Sequence, residues 1–265
     1  MDKIKYVNHL NRSVDLWEAD ENKGVIVGSY RTARAYNYSI ENNNLYVEAK
    51  QWDALLVCSP REKANELIEI LEEDSAKNES GKFYFNDWYI RCKFLGINEI
   101  VFENQKFVKL SLKFASLKNE WTKETTVKLV PQSVKVSEGL DFPFDYAFDY
   151  AGTSTQLKQL NNQSVLDADF RLQFDGTGMA QTVRIGGHDY SVNNIIGVGE
   201  TFFLDTEAEY VRKATSNGVV DLFAASSDTD YIFKKLPYGK NEVTWNTKNT
   251  LYFTILEHRR IPPWI

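Results

Sequence analysis

The sequence is poor in cysteine and in positive charge. Its two cysteines, Cys58 and Cys92, lie far apart and outside any CxxC motif. We therefore interpret both as small buried hydrophobic side chains, and not as a disulfide or a metal site. Lysine and arginine number 31 against 37 acidic residues, a formal net charge of −6. Proteins that bind nucleic acid through its phosphates carry a basic footprint, so no specific nucleic-acid binding is expected.

Long hydrophobic runs are also missing. No stretch approaches the roughly 20 apolar residues that a membrane-spanning helix needs, and residues 1–13 lack the apolar run of a signal peptide. We therefore expect a soluble chain that is made in the cytoplasm and does not insert into a membrane.

Motifs that organise catalysis are absent too. The three histidines, His9, His188 and His258, are scattered, with no HExxH or His-x-His spacing. His188, beside Asp189, is interpreted as an exposed turn residue. No GxSxG elbow or phosphate loop occurs, and the run GTGMAQ at 176–181 lacks the third glycine of a dinucleotide fingerprint. Together these absences predict a protein without catalysis, cofactor or bound metal.

Aromatic side chains and period-two patterns are plentiful instead. Hydrophobic residues make up 43% of the chain and aromatic residues 14%, which is ample for a packed core. Gly186-Gly187 and Asn217-Gly218 fit two-residue hairpin turns, because glycine and asparagine adopt positive φ at low cost. The chain is therefore predicted to be mainly β. Alternation of apolar and polar residues marks strands at 45–52, 107–114, 181–185 and 251–256.

One helix is predicted at about residues 60–74. Ser59, Pro60 and Glu62 form a capping box with proline at the first helical position. A single apolar stripe at i, i+3, i+4 and i+7 then predicts an amphipathic helix packed on one face of a sheet. The stripe consists of Ala64, Leu67, Ile68 and Leu71.

A domain boundary is predicted near residues 131–142. Proline, serine and glycine cluster there, in PQSVKVSEGLDF, after a strand-rich first half. The interpretation is an N-terminal β domain with one helix, residues 1–138, followed by a second all-β domain, residues 139–265.

The segment DFPFDYAFDY, residues 141–150, has two interpretations. Asp145 and Asp149 could form a catalytic pair of carboxylates, or the segment could be a connecting strand with one aromatic face. Side chains four positions apart on a strand lie about 13 Å apart, whereas glycosidase carboxylates need about 5–9.5 Å. Because Pro143 and the alternation oppose a helix, the connecting strand is favoured. Its aromatic face consists of Phe142, Phe144, Tyr146, Phe148 and Tyr150.

Carbohydrate binding is a further possibility that the sequence leaves open. Sugar-binding β-sandwiches expose aromatic faces, and Trp245 or Tyr190 could serve. The favoured alternative is that both rings pack inside a sandwich core.

The order of these motifs resembles the siphophage distal tail protein (Dit) family, in its short form without an inserted carbohydrate-binding module. The resemblance spans essentially the whole chain, and it depends on the ordered set of motifs because no single one is diagnostic. The motifs are SPREKANELIEILEED, GKFYFNDWYIRCKFLGI, FPFDYAFDY, LNNQSVLDADFRLQFDGTGMAQTVRIGGHDYSVN, GETFFLDT, YGKNEVTWN and the closing HRRIPPWI.

The resemblance implies a structural role without catalysis. The N-terminal domain would be a tail-tube-like β-sandwich with a hairpin arm, and the C-terminal domain a galectin-like β-sandwich. Six copies would form a ring at the tail tip of the virion, joining the tail tube to the tip and leaving a channel for DNA. Expected partners are further copies of the chain, the major tail-tube protein, a tail-associated lysin or fibre protein, and receptor-binding or baseplate proteins. Synthesis would take place in the host cytoplasm.

Two hairpins around asparagine-rich turns are candidates for the contact between subunits. They are AYNYSIENNNLYV at 35–47 and INEIVFENQKFVKL at 97–110. Strand edges and hairpins are the surfaces that a β-rich subunit can offer to a neighbour. The alternative function is a carbohydrate-binding β-sandwich module without ring assembly. The candidate assembly residues are Tyr36, Tyr38, Tyr46, Val101, Phe102 and Phe107.

Overall fold

A computed structural model describes most of the chain and divides it into two compact units. The first unit comprises the chain from its start to Lys123, together with the C-terminal residues from His258 onward. The second unit comprises Glu124–Glu257. The predicted boundary spans residues 131–142, and all of them except residue 131 lie outside the described residues. The division at residue 138 therefore stays a prediction. The described residues are 4–16, 25–26, 38–41, 44–47, 50–58, 61–102, 108–116, 118, 120–131, 156–226 and 231–259.

The first unit contains antiparallel strands and one helix. In chain order its elements are β1 (Ile4–Val7), β2 (Ser13–Asp15), β3 (Val25–Ile26), β4 (Tyr38–Glu41), β5 (Asn44–Val47), β6 (Lys50–Cys58), α1 (Arg61–Ala76), β7 (Gly81–Phe85), β8 (Trp88–Phe102), β9 (Val108–Ser116) and the start of β10 (Trp121–Leu129). One run of neighbouring strands is β8-β7-β1-β2, and another is β8-β9-β6-β3. The hairpin β4–β5 forms a two-stranded sheet of its own.

The burial of side chains along β9 matches the alternation of apolar and polar residues in its sequence. Every second side chain from Val108 to Ser116 is buried, and those between are half-buried. Phe114 of β9 stacks on Trp52 of β6 with ring centroids 4.7 Å apart. Phe83 of β7 meets the same Trp52 edge to face at 4.9 Å. These rings form the aromatic centre of the first core.

The helix α1 covers this core with the predicted stripe. Ala64, Leu67 and Leu71 are buried, and Ile68 is partly buried against the same cluster. The helix runs to Ala76, two residues beyond the predicted end at 74. Residues 59 and 60 of the predicted capping box lie outside the described residues.

The second unit consists of two antiparallel sheets that share one core. Its further strands are β11 (Gln156–Asn162), β12 (Asp169–Asp175), β13 (Thr182–Ile185), β14 (His188–Ser191), β15 (Thr201–Asp205), β16 (Tyr210–Thr215), β17 (Gly218–Asp221), β18 (Gly239–Trp245) and β19 (Leu251–Arg259). One sheet contains β17-β16-β15-β12-β19, and the other has the order β11-β18-β13-β14. Phe170 and Leu172 of the first sheet and Val243 and Trp245 of the second belong to one buried cluster.

One predicted hairpin turn is confirmed and the other is shifted. Ile185 pairs with His188, so Gly186 and Gly187 form the two-residue turn, with φ of 55° and 82°. In the second hairpin Thr215 pairs with Gly218. The turn residues are therefore 216–217, and the prediction of Asn217-Gly218 is wrong by one position. Gly218 instead opens β17 with a φ of 124°, so the positive φ falls on the first strand residue.

The prediction of a mainly β chain with one α-helix is confirmed for the described residues. The strand pairs whose register the described residues define are antiparallel, which agrees with the alternation of apolar and polar residues in the sequence. Across the part of the chain that the structure describes, no helix is long and apolar enough to span a membrane.

Candidate functional site

The first predicted assembly hairpin is formed by β4 and β5. Tyr38 pairs with Val47, and Ser39 pairs with Tyr46, in antiparallel register. Tyr36 lies outside the described residues. The structure thus places a hairpin where the sequence predicts one, and its role in assembly stays a prediction.

The second predicted hairpin is formed by the distal half of β8 with β9. Val101 pairs with Lys109, and Phe102 pairs with Val108, while Phe107 lies outside the described residues. The register shifts twice along β8, between Phe94 and Gly96 and again between Ile97 and Glu99. Such bulges bend a strand and increase its twist, so they redirect the end of a hairpin.

One edge of the distal half of β8 has no partner strand in the described chain. Near its start, β8 pairs with β7 through Trp88–Cys92 and with β10 through Trp88 and Tyr89. From Lys93 to Phe102 it pairs with β9 alone. Leu95 and Ile100 on this stretch are 49% and 47% exposed. Unpaired backbone groups beside exposed apolar side chains are a template for a strand from another chain.

The predicted interdomain aromatic strand lies outside the described residues, as do all of residues 132–155. The same holds for Asp145 and Asp149, so both interpretations of that segment stay hypotheses. The strand prediction concerned Phe142, Phe144, Tyr146, Phe148 and Tyr150.

The two rings considered for sugar binding are both buried. Trp245 is 1% exposed and donates its indole N–H to the carbonyl of Asn249 at 3.1 Å. Tyr190 is 3% exposed and donates its hydroxyl to the carbonyl of Lys234 at 2.7 Å, and burial raises its pKa. Neither ring has a free face on which a sugar could stack. The interpretation of both as core residues is confirmed.

The three histidines have different partners, and the prediction of His188 as an exposed turn residue is wrong, because it is the half-buried first residue of β14 and pairs with Ile185. Nε2 of His188 lies 3.0 Å from the carbonyl oxygen of Tyr231, and Nδ1 of His258 lies 3.2 Å from Oγ1 of Thr122. His9 meets the carboxylate of Asp74. Within the described ranges, no group of three or more histidine, cysteine, aspartate or glutamate side chains could hold a metal ion.

Sequence reasoning missed a fully buried acidic side chain in the described part of the first unit. Asp74 is 0% exposed and accepts hydrogen bonds from Tyr6 and His9. A signal was present, because Asp74 follows Leu67 by seven positions and Leu71 by three. It therefore continues the buried stripe of α1. The surrounding acid-rich stretch, however, is typical of a solvent-exposed helix end.

The two cysteines are buried and free, as predicted. Burial raises the pKa of Cys58 to about 11, and burial with the nearby Asp74 raises the pKa of Cys92 further. Because the thiolate is the reactive form, alkylation of the native protein at pH 8 should be about two orders of magnitude slower than that of a free cysteine. Mass spectrometry after timed treatment with iodoacetamide measures this rate, and urea-unfolded protein provides the unprotected control. Rapid labelling of the native protein would contradict the assignment of both thiols to the core.

Comparisons with known proteins add a full-length similarity of fold. No family model and no curated protein matches the chain. Solved structures with a similar fold include the SPP1 Dit (gp 19.1) protein, described as a paradigm of the hub adsorption apparatus in Gram-positive infecting phages. Its TM-score is 0.54 at 10% identity, over 98% of this chain and 99% of that one.

Two chains from the phage p2 baseplate in its activated conformation are also similar. The structure with Sr has a TM-score of 0.62 at 12% identity, and the structure with Ca has 0.61 at 13%. Each alignment covers 99% of this chain and 100% of the other. The chain therefore has the fold found in these phage hub and baseplate structures.

Proposed function

We propose that this chain is a structural hub protein of a phage tail, which forms a six-membered ring between the tail tube and the tail tip. The observation that carries the proposal is the correspondence of fold with SPP1 Dit and the phage p2 baseplate chains over nearly the full length of both partners. The order of sequence motifs supports the same assignment independently. No catalytic step is part of it.

The open edge of β8 is the surface that suits ring formation. A closed ring needs head-to-tail contacts, in which one surface of each subunit meets a different surface of the next. The stretch Lys93–Phe102 supplies one such surface, and the hairpin β4–β5 is the second candidate. The net charge of −6 suits a channel that lets DNA pass without holding it.

The partners follow from a position at the tail tip of the virion. One face of the ring would contact the major tail-tube protein, and the other a tail-associated lysin or fibre protein. The second unit would offer docking surfaces for receptor-binding or baseplate proteins. The carbohydrate-binding alternative receives no support from Trp245 or Tyr190, since both are buried.

The size of the purified protein in solution tests the ring. Size-exclusion chromatography with light scattering should give six times the mass of the chain, and negative-stain images should contain annuli with six-fold symmetry. A stable monomer that binds glycans would overturn the proposal in favour of the carbohydrate-binding module.

Charge placed on the open edge of β8 should prevent the ring from forming. We expect Leu95→Lys together with Ile100→Lys to yield monomers, because lysine on a strand edge opposes pairing with another strand. Both side chains are about half exposed, so each substitution should change the free energy of unfolding by no more than about 0.5 kcal/mol. Light scattering reports the mass and urea unfolding the stability.

The matched control is Val198→Lys in the second unit, where the side chain is 84% exposed. This variant should assemble like the parent protein. If the double variant still forms six-membered rings at the concentration where the parent does, the edge of β8 is not the subunit contact.

A further inference from the structure

We infer that β1 and β2 form a strap over the edge of β7, and that the buried carboxylate of Asp74 is the latch that makes opening of this strap all-or-none. The strap is short. Its strand β1 forms four residue pairs with β7, and β2 forms three with β1. A two-stranded hairpin of this length is marginally stable without further contacts.

The latch joins the end of α1 to the strap. The hydroxyl of Tyr6 donates to Oδ2 of Asp74 at 2.5 Å. The backbone N–H of His9 donates to Oδ1 at 2.9 Å, and Nδ1 of the same histidine lies 2.5 Å from that oxygen. Nδ1 of His9 and Oδ1 of Asp74 therefore form a hydrogen bond, in addition to the one from the backbone N–H. Burial, the nearby Cys92 and the bond to Asp74 all raise the pKa of Tyr6, so its hydroxyl stays a donor.

Every described donor to the side chain of Asp74 comes from the strap and none from its own helix. A buried carboxylate is tolerated only when it is hydrogen-bonded or paired. With the strap closed, Asp74 is 0% exposed and has three hydrogen-bond partner atoms, the hydroxyl of Tyr6 and the backbone nitrogen and Nδ1 of His9. With the strap fully open, water would solvate it. A partly open strap would leave this polar group buried without hydrogen-bond partners, so intermediate positions are disfavoured.

Hydrogen bonds to the neighbouring residue Glu73 also fix the position of the strap. The adjacent Glu73 accepts from the side chains of Asn8 and Arg12, which lie in the turn between β1 and β2. Oδ1 of Asn8 in turn accepts from the backbone N–H groups of Leu10 and Arg12. Two consecutive acids at the end of α1 thus hold the whole turn.

The strap determines which sheet edges of the first unit are open. Strand β7 has buried Phe83 and Phe85 on the core face, and its outer edge would be a second template for strand addition if β1 left it. When the strap is closed, the outer strand is β2, which is only three residues long. Very short edge strands are poor templates. The latch therefore protects one edge, while the stretch Lys93–Phe102 has an edge with no partner strand in the part of the chain that the structure describes.

Hydrogen exchange with mass spectrometry on the whole protein tests the latch. Asp74→Asn keeps the shape of the side chain but replaces one of its two accepting oxygens with an NH2 group, which donates. The amides of β1, β2 and the β1-facing edge of β7 should share one opening free energy in the parent protein. In the variant we expect them to exchange about 100-fold faster, by factors that differ from amide to amide because partly open positions are no longer disfavoured. Amides of β9 should keep their parent rate. The matched control is Glu69→Gln, an exposed carboxylate on the same helix, which should change nothing.

Tyr6→Phe removes one donor without changing the packing volume, and it should accelerate the same amides by smaller factors. This variant decides the question if Asp74→Asn does not fold. Acceleration throughout the first unit, β9 included, would mean that Asp74 only adds general stability and would overturn the inference. An unchanged β1 would overturn it as well. The mass of each sample by light scattering reports separately whether the ring forms.

Discussion

Gly81→Ala should lower the free energy of unfolding of the first unit by about 3–5 kcal/mol, because the new methyl group has no room and the latch cannot form around it. A Cβ at this position would lie 2.1 Å from the hydroxyl oxygen of Tyr6, 2.3 Å from its Cζ and 2.6 Å from Oδ2 of Asp74. Tyr6 is fully buried among packed core side chains, so with the strap closed its ring has no free space to move into. Urea unfolding followed by tryptophan fluorescence measures the change.

Gly187→Asn is the matched control for this substitution. Nothing lies within 4 Å of a Cβ at Gly187, and asparagine tolerates its positive φ of 82°. The control should therefore stay close to the parent stability. A value for Gly81→Ala close to that of the control would show that the contact between β7, Tyr6 and Asp74 is looser than the structure has it.

Trp245→Ala should cost the second unit about 3–5 kcal/mol of stability and leave any binding of glycans unchanged. The ring is 1% exposed within the shared core of the two sheets, and its N–H is already satisfied by the carbonyl of Asn249. Truncation therefore removes packing contacts and leaves a cavity. Urea unfolding and a glycan-array assay of the same preparation measure the two effects.

Tyr238→Ala is the matched control, since its aromatic ring belongs to the same unit but is 67% exposed. Removing it should change the stability by no more than about 0.5 kcal/mol. If Trp245→Ala instead kept its stability and lost affinity for a glycan, the ring would be a binding residue and the carbohydrate-binding alternative would return.

The predictions that succeeded from sequence are those that depend on neighbours along the chain. Alternation places Val108, Leu110 and Phe114 on one face of β9, and the i, i+3, i+4 stripe places Leu67 and Leu71 on one face of α1. Both patterns are local, so each element and its buried face could be predicted without the rest of the fold. The prediction of the hairpin turn at Gly186-Gly187 succeeded for the same reason. The prediction of the turn before Gly218 was wrong by one position, because residues 216–217 and 217–218 are both pairs of turn-forming residues.

What the sequence alone determined is that the chain is mainly β, with one amphipathic helix and two buried thiols. Only the tertiary structure decided that Asp74 is buried beneath the first strand pair and that Trp245 faces a core. It alone also decided that residues 93–102 of β8 have one edge without a partner strand among the described residues. The physical reason is that periodicity records which residues share a face, while burial of a charge and the pairing of an edge depend on strands distant in sequence.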